Sequence, residues 1–175
     1  MSPWWREQVL LFLAPDRLVA VRLSRGPRRR ALAGHVETCE ASASDPAPML
    51  ARLADLLRQP QWGRADAVVL LSSRFATYQL LPWTEAVLDA DEAAARTRQL
   101  LARARGESAA ALELRTSSGG FGHASLASGV EQRLLAAVRE ACAAASLRVV
   151  SIQPYLMPRR GRQDERTARR KNRGR

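Results

Sequence analysis

The sequence predicts a mixed α/β (α+β) protein of 175 residues, built as two small lobes followed by a basic tail. Three observations carry this reading. Short apolar runs bounded by Pro, Gly and Asp recur from Val9 onward, at strand rather than helix length. Between them lie three segments with apolar residues at helical spacing, each opened by a capping side chain. Beyond Pro158 the apolar residues give out and charge takes over. Hydrophobic residues make up 46% of the chain, enough to bury a core, so the body is not a disordered chain.

The elements follow in order. Val9–Leu13 and Leu18–Leu23 are apolar runs joined by Ala14-Pro15-Asp16-Arg17, which reads as a tight hairpin turn. Ser24–Arg30 is a polar turn, and Ala31–Ala41 is a third strand pairing back on the second. Asp45 caps the next helix, with Pro46 at its first position, where a missing N–H does no harm. Leu50, Leu53, Ala54 and Leu57 share its inner face, and Pro60 ends it. Ala65–Ser72 is the strongest strand signal, because Ala67 to Leu71 is apolar without interruption, the pattern of a central strand covered on both faces. The first unit, residues 8–73, therefore reads βββαβ.

In the second unit, residues 74–157, Phe75–Leu81 reads as a strand ending at Pro82-Trp83. Asp89 and Glu92 form a capping box for a helix with Leu100, Leu101 and Ala104 on its inner face, stopped by Gly106. Ala110–Thr116 and Phe121–Ala127 read as a strand pair around Ser117-Ser118-Gly119-Gly120. Ser128 and Glu131 cap a third helix carrying Val130, Leu134, Val138, Ala141 and Ala145 on one stripe. Leu147–Ile152 is the last strand, closed by Pro154, which gives βαββαβ, the ferredoxin-like order. Residues 158–175 are expected to be disordered.

Charge is unevenly placed. The tail holds nine basic residues, Arg159, Arg160, Arg162, Arg166, Arg169, Arg170, Lys171, Arg173 and Arg175, against Asp164 and Glu165. It carries +7, leaving the body only +4 of the net +11, so the charge does not describe a nucleic-acid-binding fold. Two cysteines far apart, Cys39 and Cys142, make no metal spacing and read as buried thiols. The apolar run Val9–Leu13 is too short for a signal-peptide core, and no run reaches about eighteen apolar residues, so a cytoplasmic address is expected.

Three stretches resemble the PilM/GspL-like proteins of pilus assembly and type II secretion, which have an actin-like fold. Leu18-Val19-Ala20-Val21-Arg22-Leu23 is similar to that family's second strand, and Val68 to Trp83, with Ser72-Ser73, Tyr78 and Leu81-Pro82-Trp83, is similar to its crossing segment. Val150-Ser151-Ile152-Gln153-Pro154 resembles the close of its inserted lobe. The resemblance covers roughly residues 8 to 157. It implies an RNase-H-like lobe carrying an inserted lobe, as in the first half of that fold. It also implies a non-catalytic cytoplasmic scaffold that receives a cytoplasmic peptide of an inner-membrane pilus or secretion protein between the lobes. Phe75, Tyr78, Leu80 and Trp83, with the helix from Asp89, would frame that groove. Nucleotide-binding members keep an acid, a Gly and small hydroxyl residues in the first turn. Here Asp16 is present but no Gly lets the backbone approach a phosphate. The second phosphate loop would lie in the other half of the fold, so no cofactor is expected.

Other candidates have blander readings. Ser117 to Gly122 is Gly-rich but joins two strands, so it is read as a hairpin rather than a phosphate cradle. His35 and His123 fall on predicted strands without metal-ligand spacing. Ser72-Ser73 lacks the Gly-x-Ser-x-Gly elbow, and Asp16 and Asp66 alone do not make a two-metal carboxylate set, so no enzyme is expected. Trp62 and Trp83 are expected to cover the core, and Trp4 and Trp5 either to pack on the body or to anchor a partner. The tail is either a solvated basic end or an attraction for an anionic membrane surface, where each basic residue contributes about 1 kcal/mol. Nucleic acid would be held as well, without sequence preference, which leaves a small nucleic-acid-associated protein as the alternative function.

Overall fold

β1 (Gln8–Ala14) and β2 (Arg17–Leu23) form the predicted hairpin in this computed structural model, which describes residues 6–24, 26, 28–84, 90–105, 111–117 and 122–156. Ala14 faces Arg17 across a two-residue Pro15-Asp16 turn. The turn's carbonyls are taken by the chain that follows β3 (Ala31–Thr38): Ala41 N–H donates to Pro15 O at 3.1 Å and Cys39 N–H to Asp16 O at 3.0 Å. β3 pairs antiparallel with β2, as expected.

Strand alternation fixes which face is inside. Val9, Leu11 and Leu13 are buried, while Leu10 and Phe12 between them are half-buried. Leu18 and Ala20 of β2 and Ala67, Val69 and Leu71 of β4 (Asp66–Leu71) complete the inner face. α1 (Ala47–Leu57) covers it with Met49, Leu53, Leu56 and Leu57. Its buried stripe is rotated from the predicted one, so Leu50 and Ala54 lie at its border. Asp45 does cap the helix, its Oδ1 accepting from Ala47 N–H at 3.2 Å, while Pro46 takes the N-cap position rather than the first turn. Trp62, in a 3-10 turn at Pro60–Trp62, is fully buried.

After β4, Ser72 Oγ accepts from Arg74 N–H and caps a 3-10 turn at Ser73–Phe75, which leads into β5 (Ala76–Leu81). α2 (Ala90–Arg105), β6 (Leu112–Thr116) and β7 (Ser125–Glu131) follow, and β5, β7 and β6 make a three-stranded antiparallel sheet. Leu101 and Thr97 of α2 are buried against it. The predicted caps Asp89 and Gly106, the loop tip 118–121, the residues Trp4 and Trp5, and the whole basic tail lie outside the described residues.

Two expectations are corrected here. β7 runs on to Glu131, so Ser128 is a buried strand residue opposite Tyr78 and Arg115, not a helix cap. α3 (Gln132–Ala144) starts four residues later and buries Leu134, Leu135, Val138 and Cys142. The second correction is topological. β8 (Arg148–Pro154) does not close a ferredoxin-like sheet but pairs parallel with β4, giving the five-stranded order β3-β2-β1-β4-β8. The reason lies in β4. A strand apolar from Ala67 to Leu71 would otherwise stand at a sheet edge, with its backbone groups unpaired. β8 brings Val149 and Ile152 to Ala67 and Val69, and Arg148 to Asp66. The Arg148 guanidinium grips the buried Asp66 carboxylate at 2.9 and 2.7 Å, which raises the pKa of Arg148. α3 then packs beside α1 on the inner face. The result is a βββαβ lobe completed by a later αβ, with β5-α2-β6-β7 inserted between, an RNase-H-like lobe carrying a small second sheet.

Candidate functional site: a cleft between the two sheets

β5 and β7 leave and re-enter the first lobe side by side, so the junction carries a cleft. Its volume is about 290 Å³. One wall is the loop before α1, Ala43, Ser44 and Pro46; the other is Arg74 to Thr77, entering β5. Its floor comes from two cross-strand pairs, Thr77 with Gly129 and Leu112 with Glu131, and Leu134 of α3 closes the end.

Gly129 is needed for this floor. A Cβ there would meet Leu112 Cδ1 at 2.9 Å and Leu114 Cδ2 at 3.1 Å, so its absence lets both leucines lie across β7. The charged groups on the rim, Arg74 and Glu131, are exposed. The lining is thus mixed: aliphatic surface from Leu112, Leu134, Ala76 and Pro46, hydroxyls from Ser44 and Thr77, and one charge of each sign. Such a surface can hold an extended polypeptide, whose side chains need apolar contact and whose main chain needs polar partners.

The four residues expected to meet a partner are dispersed. Phe75 borders the cleft, but its side chain is only 8% exposed and belongs to the core. The Tyr78 hydroxyl is enclosed beside the Leu156 main chain, and burial pushes its pKa up. Leu80 and Trp83 lie farther along and outside the cleft lining, 65% and 38% exposed. Trp83 therefore does not cover the core as expected, whereas Trp62 does. The loop 43–46 and the Leu112, Gly129 and Glu131 floor escaped sequence reasoning because they meet only through tertiary packing. A lone Gly inside a strand pattern was the one signal that could have found the floor.

The remaining candidates sit elsewhere. His35 Nε2 lies 3.4 Å from Glu37 Oε2 on β3, and Arg52 Nε is 3.6 Å from the other oxygen of Glu37. His123 is exposed at a bend before β7, not on a strand. Among the described residues no three His, Cys, Asp or Glu side chains cluster as metal ligands, and no helix is long and apolar enough to cross a membrane. Asp66 is engaged by Arg148, with Arg6 at 3.9 Å. A second, water-sized space of about 10 Å³ lies between the lobes among Leu71, Arg115, Ser128, Leu135 and Ile152, beside the Ser128 hydroxyl, which has no hydrogen-bond partner among the described residues.

No family model and no curated protein sequence matches the chain. Solved structures do. The cytoplasmic domain of EpsL, an inner-membrane component of the type II secretion system of Vibrio cholerae, superposes with a TM-score of 0.63 at 13% identity, over 85% of this chain and 57% of that one. The PilM-PilN type IV pilus biogenesis complex matches with a TM-score of 0.56 at 17% identity, over 86% of this chain and 48% of that one. A Bacteroides thetaiotaomicron protein described as having an actin-like ATPase fold matches with a TM-score of 0.49 at 10% identity, over 85% of this chain and 52% of that one. The chain spans about half the length of each of these three structures. It carries the fold of the EpsL cytoplasmic domain and of the PilM-PilN complex, the fold its crossing segment resembles in sequence.

Proposed function

We propose that this protein is a non-catalytic scaffold of a type II secretion-like or type IV pilus-like assembly, holding an extended peptide of an inner-membrane partner in the cleft between its two sheets. The observation that carries the reading is the cleft itself, walled by both lobes and lined by aliphatic, hydroxyl and oppositely charged groups. The fold supports it by analogy, since the matching structures are a secretion component and a pilus biogenesis complex. Arg74 and Glu131, both exposed at the cleft, would orient the peptide by its charges, while Leu112 and Leu134 would bury an apolar side chain. Leu80 and Trp83 extend the docking surface beyond the cleft, where they are exposed.

The test is a cleft-filling substitution. Thr77→Trp leaves the folding stability within the range of a surface change, about 0.5 kcal/mol. The tagged wild-type chain, recovered from membrane fractions after nuclease treatment, brings down an inner-membrane pilus or secretion component, and the variant does not. Recovery only of nucleic-acid-bound proteins, removed by nuclease, contradicts the proposal and favours the Arg-rich stretch as the active part.

A further inference from the structure

β3 is one of the two edge strands of the five-stranded sheet, the other being β8. β2 pairs with the inner edge of β3, and no described strand pairs with its outer one. An open edge presents a row of free N–H and C=O groups, and proteins blunt such edges with Lys, Pro, inward charges or bulges. From Ala31 to Val36, β3 carries neither Lys nor Pro, and its one pairing irregularity lies near its start, between Ala31 and Ala33, where Leu32 has no partner on β2. Leu32 and Val36 are 55% and 66% exposed, and Gly34 between them opens onto empty space. All three share the sheet face that α1 and α3 leave uncovered.

The strand is self-complementary about Gly34. Two copies set antiparallel, with Gly34 opposite Gly34, place Leu32 of each opposite Val36 of the other, so two large apolar pairs flank the small central one. The same register sets Arg28 of one copy opposite Glu40 of the other, and both are exposed. Slipping the register by one residue puts Leu32 opposite His35 or Glu37 and breaks the match. We propose that β3 pairs with β3 of a second copy across a two-fold axis at Gly34, joining two five-stranded sheets into one of ten strands. This surface is separate from the cleft, and the proposal does not depend on the peptide reading.

Cysteine cross-linking reads the register directly. Opposed Cα atoms in an antiparallel pair lie about 4.5–5.5 Å apart, inside the range a disulfide spans. Gly34→Cys should therefore form an intermolecular disulfide on mild oxidation, giving a species of twice 19.3 kDa. Leu32→Cys alone should not, because its own counterpart lies roughly 13 Å along the strand, but mixed with Val36→Cys it should. Cys39 and Cys142 are buried and supply a silent background. Sedimentation velocity gives the second reading: wild type runs as a dimer, and Val36→Lys runs as a monomer with unchanged circular dichroism. Monomeric sedimentation of wild type overturns the proposal, including where the edge instead takes an extended peptide of another protein. A dimer in which Gly34→Cys fails to cross-link overturns it too.

Discussion

Val138→Ala tests whether α3 belongs to the first lobe, as the pairing of β8 with β4 requires. Val138 is fully buried on the face of α3 that meets α1 and the sheet. Removing two carbon groups forfeits about 1.6 kcal/mol of transfer free energy, at about 0.8 for each. The unfilled space adds about 1 kcal/mol. The better helix propensity of Ala returns about 0.5 kcal/mol. The net cost is about 2 kcal/mol, roughly 30-fold in the opening equilibrium. Cys142, one turn farther along the same stripe and fully buried, reports it. Burial holds its thiol pKa up at about 11, so the closed state is inert and labelling by a thiol reagent proceeds only through opening. In a Cys39→Ala background, labelling should accelerate roughly 30-fold, and the urea-derived stability should fall by the same free energy. Faster labelling with an unmoved urea transition would mean that α3 detaches alone, and would refute its membership of the first lobe.

Gly129→Val should lower stability by about 1–3 kcal/mol, because its side chain drives into Leu112 and Leu114, whereas Gly129→Ala should cost less, since both neighbours are flexible side-chain ends; thermal melts compare the two. Alkaline pH should destabilise the fold through Cys142. Its folded pKa is raised from the ordinary 9.0 to about 11, so its contribution is whole below pH 9.0 and is lost as pH rises toward 11. Two units correspond to roughly 3 kcal/mol, and Cys142→Ala should flatten the alkaline limb of a stability-versus-pH curve; an unchanged limb assigns the loss elsewhere. The raised pKa values of Tyr78 and Cys39 act in the same direction. Trp62→Ala should cost about 3–5 kcal/mol by urea titration, the largest effect of these, since the indole is wholly enclosed.

Local patterns made most of the fold legible. The β1–β2 hairpin, the third strand, the Asp45 cap and the buried run of β4 all follow from period, turn chemistry and capping, which act over a few residues. The assignment of β8 did not, because strand partnership is decided by what β4 lacks across 82 residues of separation between Asp66 and Arg148. Ser128-x-x-Glu131 mimics a capping box, yet the buried pairing of Ser128 with Tyr78 outweighs the local signal. The crossing segment was found by its sequence, but not which of its residues meet the cleft. Phe75, at the end of the 3-10 turn, is buried in the core, whereas Thr77 on β5 is half-buried and lines the cleft.

A photo-cross-linking residue in place of Thr77, which lines the cleft, tests most directly whether the cleft receives a partner's peptide, with the same residue in place of the exposed Asp55 on α1 as control. Irradiation in the host cell, followed by mass spectrometry, should join the Thr77 variant, and not the control, to the cytoplasmic segment of an inner-membrane pilus or secretion component. Equal cross-linking from both positions, or none from Thr77, contradicts the account.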